Sequence, residues 1–327
     1  MSRFSKILTV IFVVLPLVVF LFVATTRKLH SKSEVVSGLA EFFGDNTKLA
    51  YERTKIDTYD PDLGWQFGEV FGTYNEPTII GSSAVLVDIN TGKILYEKNP
   101  TEKRKIASLT KIMTAVVALE HEKLDTKMSV SATSANIGEN VMGLTEGEIY
   151  TMEDLLYGLI LNSGNDAAYT IAENVAGSSD KFVEWMNFKA KELALKNTYF
   201  ADPSGLDDDT YSTVEDLARL TRYALKNPEF REIVKTFEYE IFSDETHKYI
   251  YMQNQTNLLT TYPGVFGVKT GYTEEAGLCL VTFASNNNHD VVGVVLNSYD
   301  RKGDMILMLD HGFGTLGVVT DHPALVF

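Results

Sequence analysis

The sequence predicts an α+β fold: an antiparallel sheet with helices on both faces, plus a helical subdomain. Two β-rich runs near the start, at 83–88 and 93–98, flank turn residues, and two more lie near the end, at 277–285 and 290–296. The long middle of the chain carries apolar residues at helical spacing. Because strands and helices do not alternate, the pattern excludes a doubly wound sheet and favours early and late strands meeting in one sheet.

The individual elements follow from local signals. Thr151 and Asp154 stand at capping-box spacing before an apolar stripe, and Thr213 and Asp216 repeat that spacing. Polar turn residues at 286–289 separate the last two strands. Helices are predicted at 108–121, 151–161, 166–175, 179–195, 213–225 and 301–313, and a further strand pair at 238–242 and 249–252.

Composition narrows the classes of function. The formal net charge of -15 over 327 residues argues against a nucleic-acid partner, which would require clustered Lys and Arg. The single cysteine, Cys279, excludes an intrachain disulfide and a cysteine-rich zinc site, and its apolar neighbours predict a buried thiol. The histidines are scattered and show no zinc-binding helix signature, so we expect no metal site.

The N-terminus predicts the compartment. Residues 7–24 are apolar apart from Thr9 and Pro16, and basic residues flank them on both sides. That length lies at the lower end for a membrane-spanning helix. We expect a transmembrane signal anchor at 1–27, a tether at 28–76 and an extracytoplasmic catalytic domain at 77–327. The alternative is a cleaved signal peptide and a secreted or periplasmic protein.

Three short motifs carry the chemistry: Ser108-Leu109-Thr110-Lys111, Ser163-Gly164-Asn165 and Lys269-Thr270-Gly271. Ser108 is predicted to open a helix, which places Lys111 on the same face one turn later. A serine nucleophile needs a base within hydrogen-bond reach, and a lysine serves only when it is neutral. Burial and the nearby positive charge of Lys269 would both lower the pKa of Lys111.

Each motif has an ordinary structural explanation when it stands alone. Ser108 could be a helix N-cap, as is expected for Ser178, which begins a second Ser-x-x-Lys match ending at Lys181. The second motif could end a helix, and the third could be an exposed turn. Together and in this order, they supply a nucleophile, a base and an anion-binding lysine. The combination predicts acyl transfer through a serine ester.

The chain resembles the D-alanyl-D-alanine carboxypeptidases among the low-molecular-mass penicillin-binding proteins. The segments that carry the resemblance are 107–114, 161–168, 202–206 and 268–273. It implies a β-lactamase/transpeptidase-like fold, and a substrate that is a peptidoglycan stem peptide ending in D-Ala-D-Ala. It also implies covalent inhibition by β-lactams, with no metal or cofactor.

The resemblance also implies a role for each motif residue. Ser108 would be the acylated nucleophile, Lys111 its base and Ser163 a proton relay. The substrate-binding residues would be Asn165, Lys269, Thr270, Gly271 and Tyr272, with the backbone N–H groups of Ser108 and Tyr272 forming the oxyanion hole.

Two positions depart from the family pattern. Tyr272 stands where many relatives have His, and Gln255 lies in the segment where well-known members have an Arg that holds the substrate carboxylate. Three other functions stay open: a peptidoglycan DD-endopeptidase, a β-lactamase, and an inactive membrane-tethered protein that binds the cell wall.

Overall fold

The protein is represented by a computed structural model that describes residues 76–256 and 258–322. The predicted signal anchor and all of the predicted tether except Glu76 lie outside the described residues. None of the helices in the described part of the chain combines the length and apolar character that a membrane span requires.

A five-stranded antiparallel sheet lies at the centre of the fold, with strand order β2-β1-β11-β10-β9. Strand β1 pairs with β11, from Ser83 opposite Leu296 to Asp88 opposite Val291. The early hairpin therefore joins the late strands, as predicted. The strands of this sheet are β1 Ser83–Asp88, β2 Ile94–Lys98, β9 Val265–Thr273, β10 Gly277–Asn286 and β11 His289–Ser298.

The sheet is buried on both faces. Along β1, Val85 and Val87 belong to the core beneath the helical part of the chain, whereas Ala84 and Leu86 pack on the side of the C-terminal helix. This alternation follows from the two-residue period of a strand. It confirms an α+β fold with helices on both faces of an antiparallel sheet.

The helices begin and end close to the predicted bounds. Thr151 forms a complete capping box with Asp154, and Ser178 and Thr213 cap the helices that follow them. The longer helices are α1 Lys111–His121, α3 Met152–Leu161, α4 Asn165–Ala176, α5 Ser179–Glu192, α6 Val214–Ala224, α7 Pro228–Lys235 and α9 Arg301–Thr315; α2 Ala132–Ala135 and α8 Leu258–Thr261 are single turns.

Smaller strands form separate two-stranded sheets. The predicted pair near residue 240 is present, but it forms its own sheet instead of joining the central one. The other two pairs, and helix α7, were not predicted from the sequence. The sheets are β3 Arg104–Lys105 with β6 Tyr211–Ser212, β4 Lys127–Ser129 with β5 Ile149–Thr151, and β7 Glu238–Ile241 with β8 Ile250–Gln253.

Candidate active site

Ser108 lies in a 3₁₀ turn, Ala107–Thr110, immediately before α1. The expectation that it opens the α-helix was therefore wrong by three residues. The turn is held by close backbone approaches on two sides. A Cβ on Gly205 would lie 1.9 Å from the Ala107 carbonyl oxygen, and one on Gly271 would lie 2.9 Å from the Ile106 carbonyl oxygen and 3.3 Å from the Ser108 nitrogen. Glycine at position 271 thus lets the third motif pack directly against the first, and glycine at position 205 lets the loop at 202–206 do the same.

Lys111 is fully buried and makes three polar contacts. Its Nζ atom lies 3.0 Å from Ser108 Oγ, 2.7 Å from Asn165 Oδ1 and 2.7 Å from the Ser204 carbonyl oxygen. The carbonyl can only accept, and the Asn165 amide nitrogen donates to the Gly138 carbonyl oxygen, so Asn165 Oδ1 also faces Lys111 as an acceptor. The two acceptors use both N–H bonds of a neutral amine, which leaves its lone pair for the Ser108 hydroxyl.

Burial makes the neutral amine accessible near neutral pH. Desolvation lowers the pKa of Lys111 to about 7, although the carboxylates of Asp202 and Asp166 act in the opposite direction. The sequence also predicted a contribution from Lys269. Lys269 is buried close enough to Lys111 for the two charges to repel each other, and the pKa of Lys269 lies well below its ordinary value because of burial first, then Lys111 and Arg301.

Asp202 organises the loop that presents the Ser204 carbonyl to Lys111. Its buried carboxylate accepts hydrogen bonds from the backbone N–H groups of Ser204, Gly205 and Asp207. The loop is also tied to α1, because the Thr114 hydroxyl donates to the Pro203 carbonyl oxygen over 2.5 Å. One carboxylate therefore fixes the position of a base-binding carbonyl.

Asp166 does the same for the loop that faces the second motif. Its buried carboxylate accepts from the backbone N–H groups of Met142, Gly143 and Leu144 at 2.7–2.9 Å. The same loop holds the neighbouring Asn165, whose backbone N–H donates to the Asn140 carbonyl oxygen at 2.7 Å. Asn165 thus bridges Lys111 and this loop, in addition to its predicted role in substrate binding.

Ser163 lies in the turn between α3 and α4 with φ at +58°, a conformation that non-glycine residues rarely adopt. The residue is 1% exposed, and its hydroxyl has no hydrogen-bond partner in the described part of the chain. Buried hydroxyls normally have a partner. The turn therefore holds a buried hydroxyl whose hydrogen-bonding capacity the described residues leave unused.

Lys269 lies on β9, the edge strand that precedes the last hairpin, and is 1% exposed. Its Nζ donates to the Thr270 carbonyl oxygen at 3.1 Å. Arg301, the first residue of α9, donates to the Gly271 carbonyl oxygen at 2.7 Å. A small cavity of about 50 Å³ lies on the Thr270 side of the strand, lined by Thr256, Leu258, Thr270, Leu280, Arg301 and Lys302.

The two positions that depart from the family pattern have different surroundings. Tyr272 follows Gly271 on β9 and is 59% exposed. Gln255 donates to the Asn162 carbonyl oxygen at 3.2 Å and lies beside the second motif. Neither side chain carries a positive charge, whereas the Arg301 guanidinium brings one to the third motif.

Four residues of this site were given no role in the sequence analysis: Asp166, Asp202, Ser204 and Arg301. Asp202 and Ser204 lie in the segment 202–206 that carries the resemblance, and an Asp two residues before a Ser is a loop-forming pattern. Ser204 acts through a backbone carbonyl, which no side-chain pattern reveals. Arg301 is distant in sequence and gives no signal except a charge at a helix start.

The chain is similar to known proteins in both sequence and structure. A model of the D-alanyl-D-alanine carboxypeptidase family, peptidase S11, matches residues 71–300, which is more than half of the chain. The chain belongs to this family. The D-alanyl-D-alanine carboxypeptidase DacF of Bacillus subtilis (strain 168) is 39% identical over 240 residues, which cover 71% of this chain and 61% of that protein.

Other family members carry related names. The D-alanyl-D-alanine endopeptidase of Escherichia coli (strain K12) is 34% identical over 243 residues, covering 70% of this chain and 75% of that protein. The crystal structure of the Streptomyces K15 DD-transpeptidase superposes with a TM-score of 0.70 at 34% identity, covering 73% of this chain and 99% of that chain. This likeness confirms the penicillin-binding, DD-peptidase type of fold.

Proposed function

We propose that the protein is a serine-type D-Ala-D-Ala carboxypeptidase that removes the terminal D-alanine from peptidoglycan stem peptides. Membership of the carboxypeptidase family supports the reaction class. The observation that carries the proposal is the contact of 3.0 Å between Lys111 Nζ and Ser108 Oγ in a buried site where Lys111 has a pKa of about 7. That arrangement meets the requirement for an activated serine.

The proposed reaction has two halves. Neutral Lys111 takes the Ser108 proton as Ser108 Oγ bonds to the carbonyl carbon of the penultimate D-alanine. The C–N bond then breaks, and the proton passes to the departing D-alanine; the Ser163 hydroxyl would relay it. Water then hydrolyses the ester and regenerates Ser108. No cofactor enters these steps.

The substrate would bind as an additional strand along β9, the edge of the central sheet. The backbone N–H groups of Ser108 and Tyr272 would stabilise the tetrahedral oxyanion; the approach of Gly271 to Ser108 supports their proximity. The terminal carboxylate would bind near Lys269, Thr270 and Arg301. Its negative charge would raise the pKa of Lys269, whose ammonium form is disfavoured by burial and by two neighbouring cations.

Related activities are distinguished by products. The names of relatives make a DD-endopeptidase and a transpeptidase the next candidates. A β-lactamase has less support: Glu139 and Glu146 are exposed, and the Glu148 carboxylate already accepts from Thr145 and Tyr150 at 2.7 Å and 3.0 Å. A binding protein without activity would leave the Lys111–Ser108 contact without a use.

Product analysis tests the assignment. The purified protein is incubated with a stem pentapeptide, with a cross-linked dimeric peptide, and with the pentapeptide plus an amino acceptor. A carboxypeptidase releases free D-alanine from the pentapeptide, and Ser108→Ala abolishes the release. Cleavage of the dimer alone would favour the endopeptidase, and transfer to the acceptor would favour the transpeptidase. Rapid turnover of penicillin would favour the β-lactamase.

We further propose that the full chain is anchored in the membrane with its catalytic part outside the cytoplasm. The apolar run at 7–24 and the extracytoplasmic location of peptidoglycan support this. Cell fractionation of the full chain and of a chain starting at Lys28 tests it. The anchored form should sediment with membranes and the shortened form should not. A full chain that appears mature and soluble outside the membrane would indicate a cleaved signal.

A further inference from the structure

A second, larger cavity lies at the far end of the edge strand β9. It has a volume of about 330 Å³ and is lined by Lys103, Arg104, Lys105, Tyr211, Glu275, Ala276 and Asn297. Two parts of its lining are close in sequence to the candidate active site. The three cationic residues come just before the Ser108 turn, and Glu275 and Ala276 belong to the turn that connects β9 to β10.

The cavity is cationic in a chain whose formal net charge is -15. Arg104 forms an ion pair with Glu102 at 2.7 Å, so part of its charge is neutralised. Lys103 Nζ lies 4.7 Å from the centre of the Tyr211 ring. Neither Lys103 nor Lys105 forms an ion pair with a described residue, and Glu275 is the one carboxylate in the lining. The excess of positive over negative charge in the lining favours an anionic ligand.

The proposed binding mode directs the substrate toward this cavity. The terminal carboxylate lies at the Lys269 end of β9 and the reacting carbonyl faces Ser108 and Tyr272. The residues that precede the scissile bond therefore continue past Thr273 toward the turn at Glu275. An extended peptide advances about 3.3 Å per residue. In this direction, the second and third residues before the scissile bond are the ones that would lie nearest the cavity.

We propose that this cavity binds a free carboxylate that the stem peptide carries two or three residues before the scissile bond. The enzyme then prefers stem peptides in which this carboxylate is free over those in which it is amidated. This inference rests on the proposed function, because it uses the direction in which the substrate lies along β9. It adds a specificity subsite formed by Lys103 and Lys105, outside the three motifs.

The test uses matched peptides ending in D-Ala-D-Ala: one with free carboxylates at both upstream positions, and two in which one or the other is amidated. We measure kcat/KM for D-alanine release at low ionic strength. A partly exposed ion pair contributes about 1 kcal/mol or less, so each lysine should contribute up to about fivefold to the preference for the free carboxylate. Added salt should reduce that preference.

Three variants and one control locate the effect. Lys103→Ala and Lys105→Gln should each reduce the preference, and Glu275→Gln, which removes the opposing charge, should increase it. Lys123→Ala is the control, because Lys123 is an exposed lysine that does not line the cavity. Acylation by penicillin, which lacks the upstream peptide, should be unchanged in all four and shows that each variant is folded.

Equal kcat/KM for all three peptides in the wild-type protein would overturn the inference, as would a preference that Lys103→Ala and Lys105→Gln leave intact. If penicillin acylates Ser108 but no peptide is hydrolysed, the proposed reaction fails instead. The same peptides are then compared as competitors of penicillin acylation. Stronger protection by the free carboxylate, lost in the two lysine variants, would still support the subsite, and equal protection would contradict it.

Discussion

Asn165→Asp should shift the pH dependence of acylation. With a pKa of about 7, roughly half of Lys111 is neutral at pH 7, whereas at its ordinary value of 10.5 roughly one molecule in 3,000 would be. The net effect of burial and of the opposing carboxylates therefore disfavours the ammonium form by about 5 kcal/mol. A carboxylate at 2.7 Å from Nζ would favour it by about 6 kcal/mol at an effective dielectric constant of about 20.

The added charge thus offsets the burial, and the pKa of Lys111 should return toward its ordinary value. Because the base must be neutral, acylation in the wild-type protein should fall about tenfold per pH unit below about 7 and level off above it. In Asn165→Asp the rate at pH 7 should fall about 100- to 1,000-fold and should keep rising into the alkaline range.

Stopped-flow acylation by a fluorescent penicillin between pH 5 and pH 10 measures both profiles. Asn165→Ala is the control, because it loses the same amide hydrogen bonds without adding a charge. It should acylate more slowly, but its rate should not level off at a higher pH than in the wild-type protein. If the profile of Asn165→Asp levels off at the same pH as that of the wild type, the pKa argument for Lys111 is refuted.

Three further substitutions test the supports of the site. Asp202→Asn should lower the free energy of unfolding by about 1–3 kcal/mol and slow acylation, because a charged acceptor of backbone N–H groups is lost; unchanged urea denaturation would contradict this. Gly205→Ala should lower the melting temperature more than Gly177→Ala. The two glycines have φ of +80° and +84°, but only a Cβ at position 205 would meet Ala107; equal decreases would refute the packing argument. Arg301→Ala should raise KM for D-Ala-D-Ala peptides about tenfold, with Arg301→Lys partly restoring it, as expected for a charge-assisted hydrogen bond to a carboxylate; an unchanged KM would exclude a role in binding.

The central sheet could be predicted where local and long-range signals agree. The hairpin turn at Asn287 and Asn288 is one example: both residues have positive φ, which a two-residue turn between twisted strands requires, and Asn tolerates it. The continuous apolar run of β1 likewise reflects burial on both faces. In such places the side chains themselves specify the structure.

Strand β9 could not be predicted from its own residues. Its range Val265–Thr273 includes Gly267 and Gly271, which weaken strand propensity, and the side-chain pattern predicted no strand at these positions. The strand exists because β10 pairs along it, and Gly271 is needed where the backbone meets the Ser108 turn. Both causes are contacts between distant parts of the chain.

The candidate active site could likewise be predicted only in part. The three motifs and their order could be identified from side chains, and the structure brings Ser108, Lys111, Asn165 and Gly271 together. The 3₁₀ turn at Ser108 could not be predicted, because Ala107 adopts a φ of +48° under contacts from Gly205 and Gly271. Nor could the contact of Lys111 with the Ser204 carbonyl, since every residue carries such a group.

The most direct test of the account is mass spectrometry of the intact protein and of its peptides after exposure to penicillin. We expect one covalent adduct, located on Ser108, that forms more slowly as pH falls below 7 and is absent from Ser108→Ala. An adduct that persists in that variant, or that maps to another serine such as Ser163 or Ser204, would contradict the assignment of the nucleophile and of Lys111 as its base.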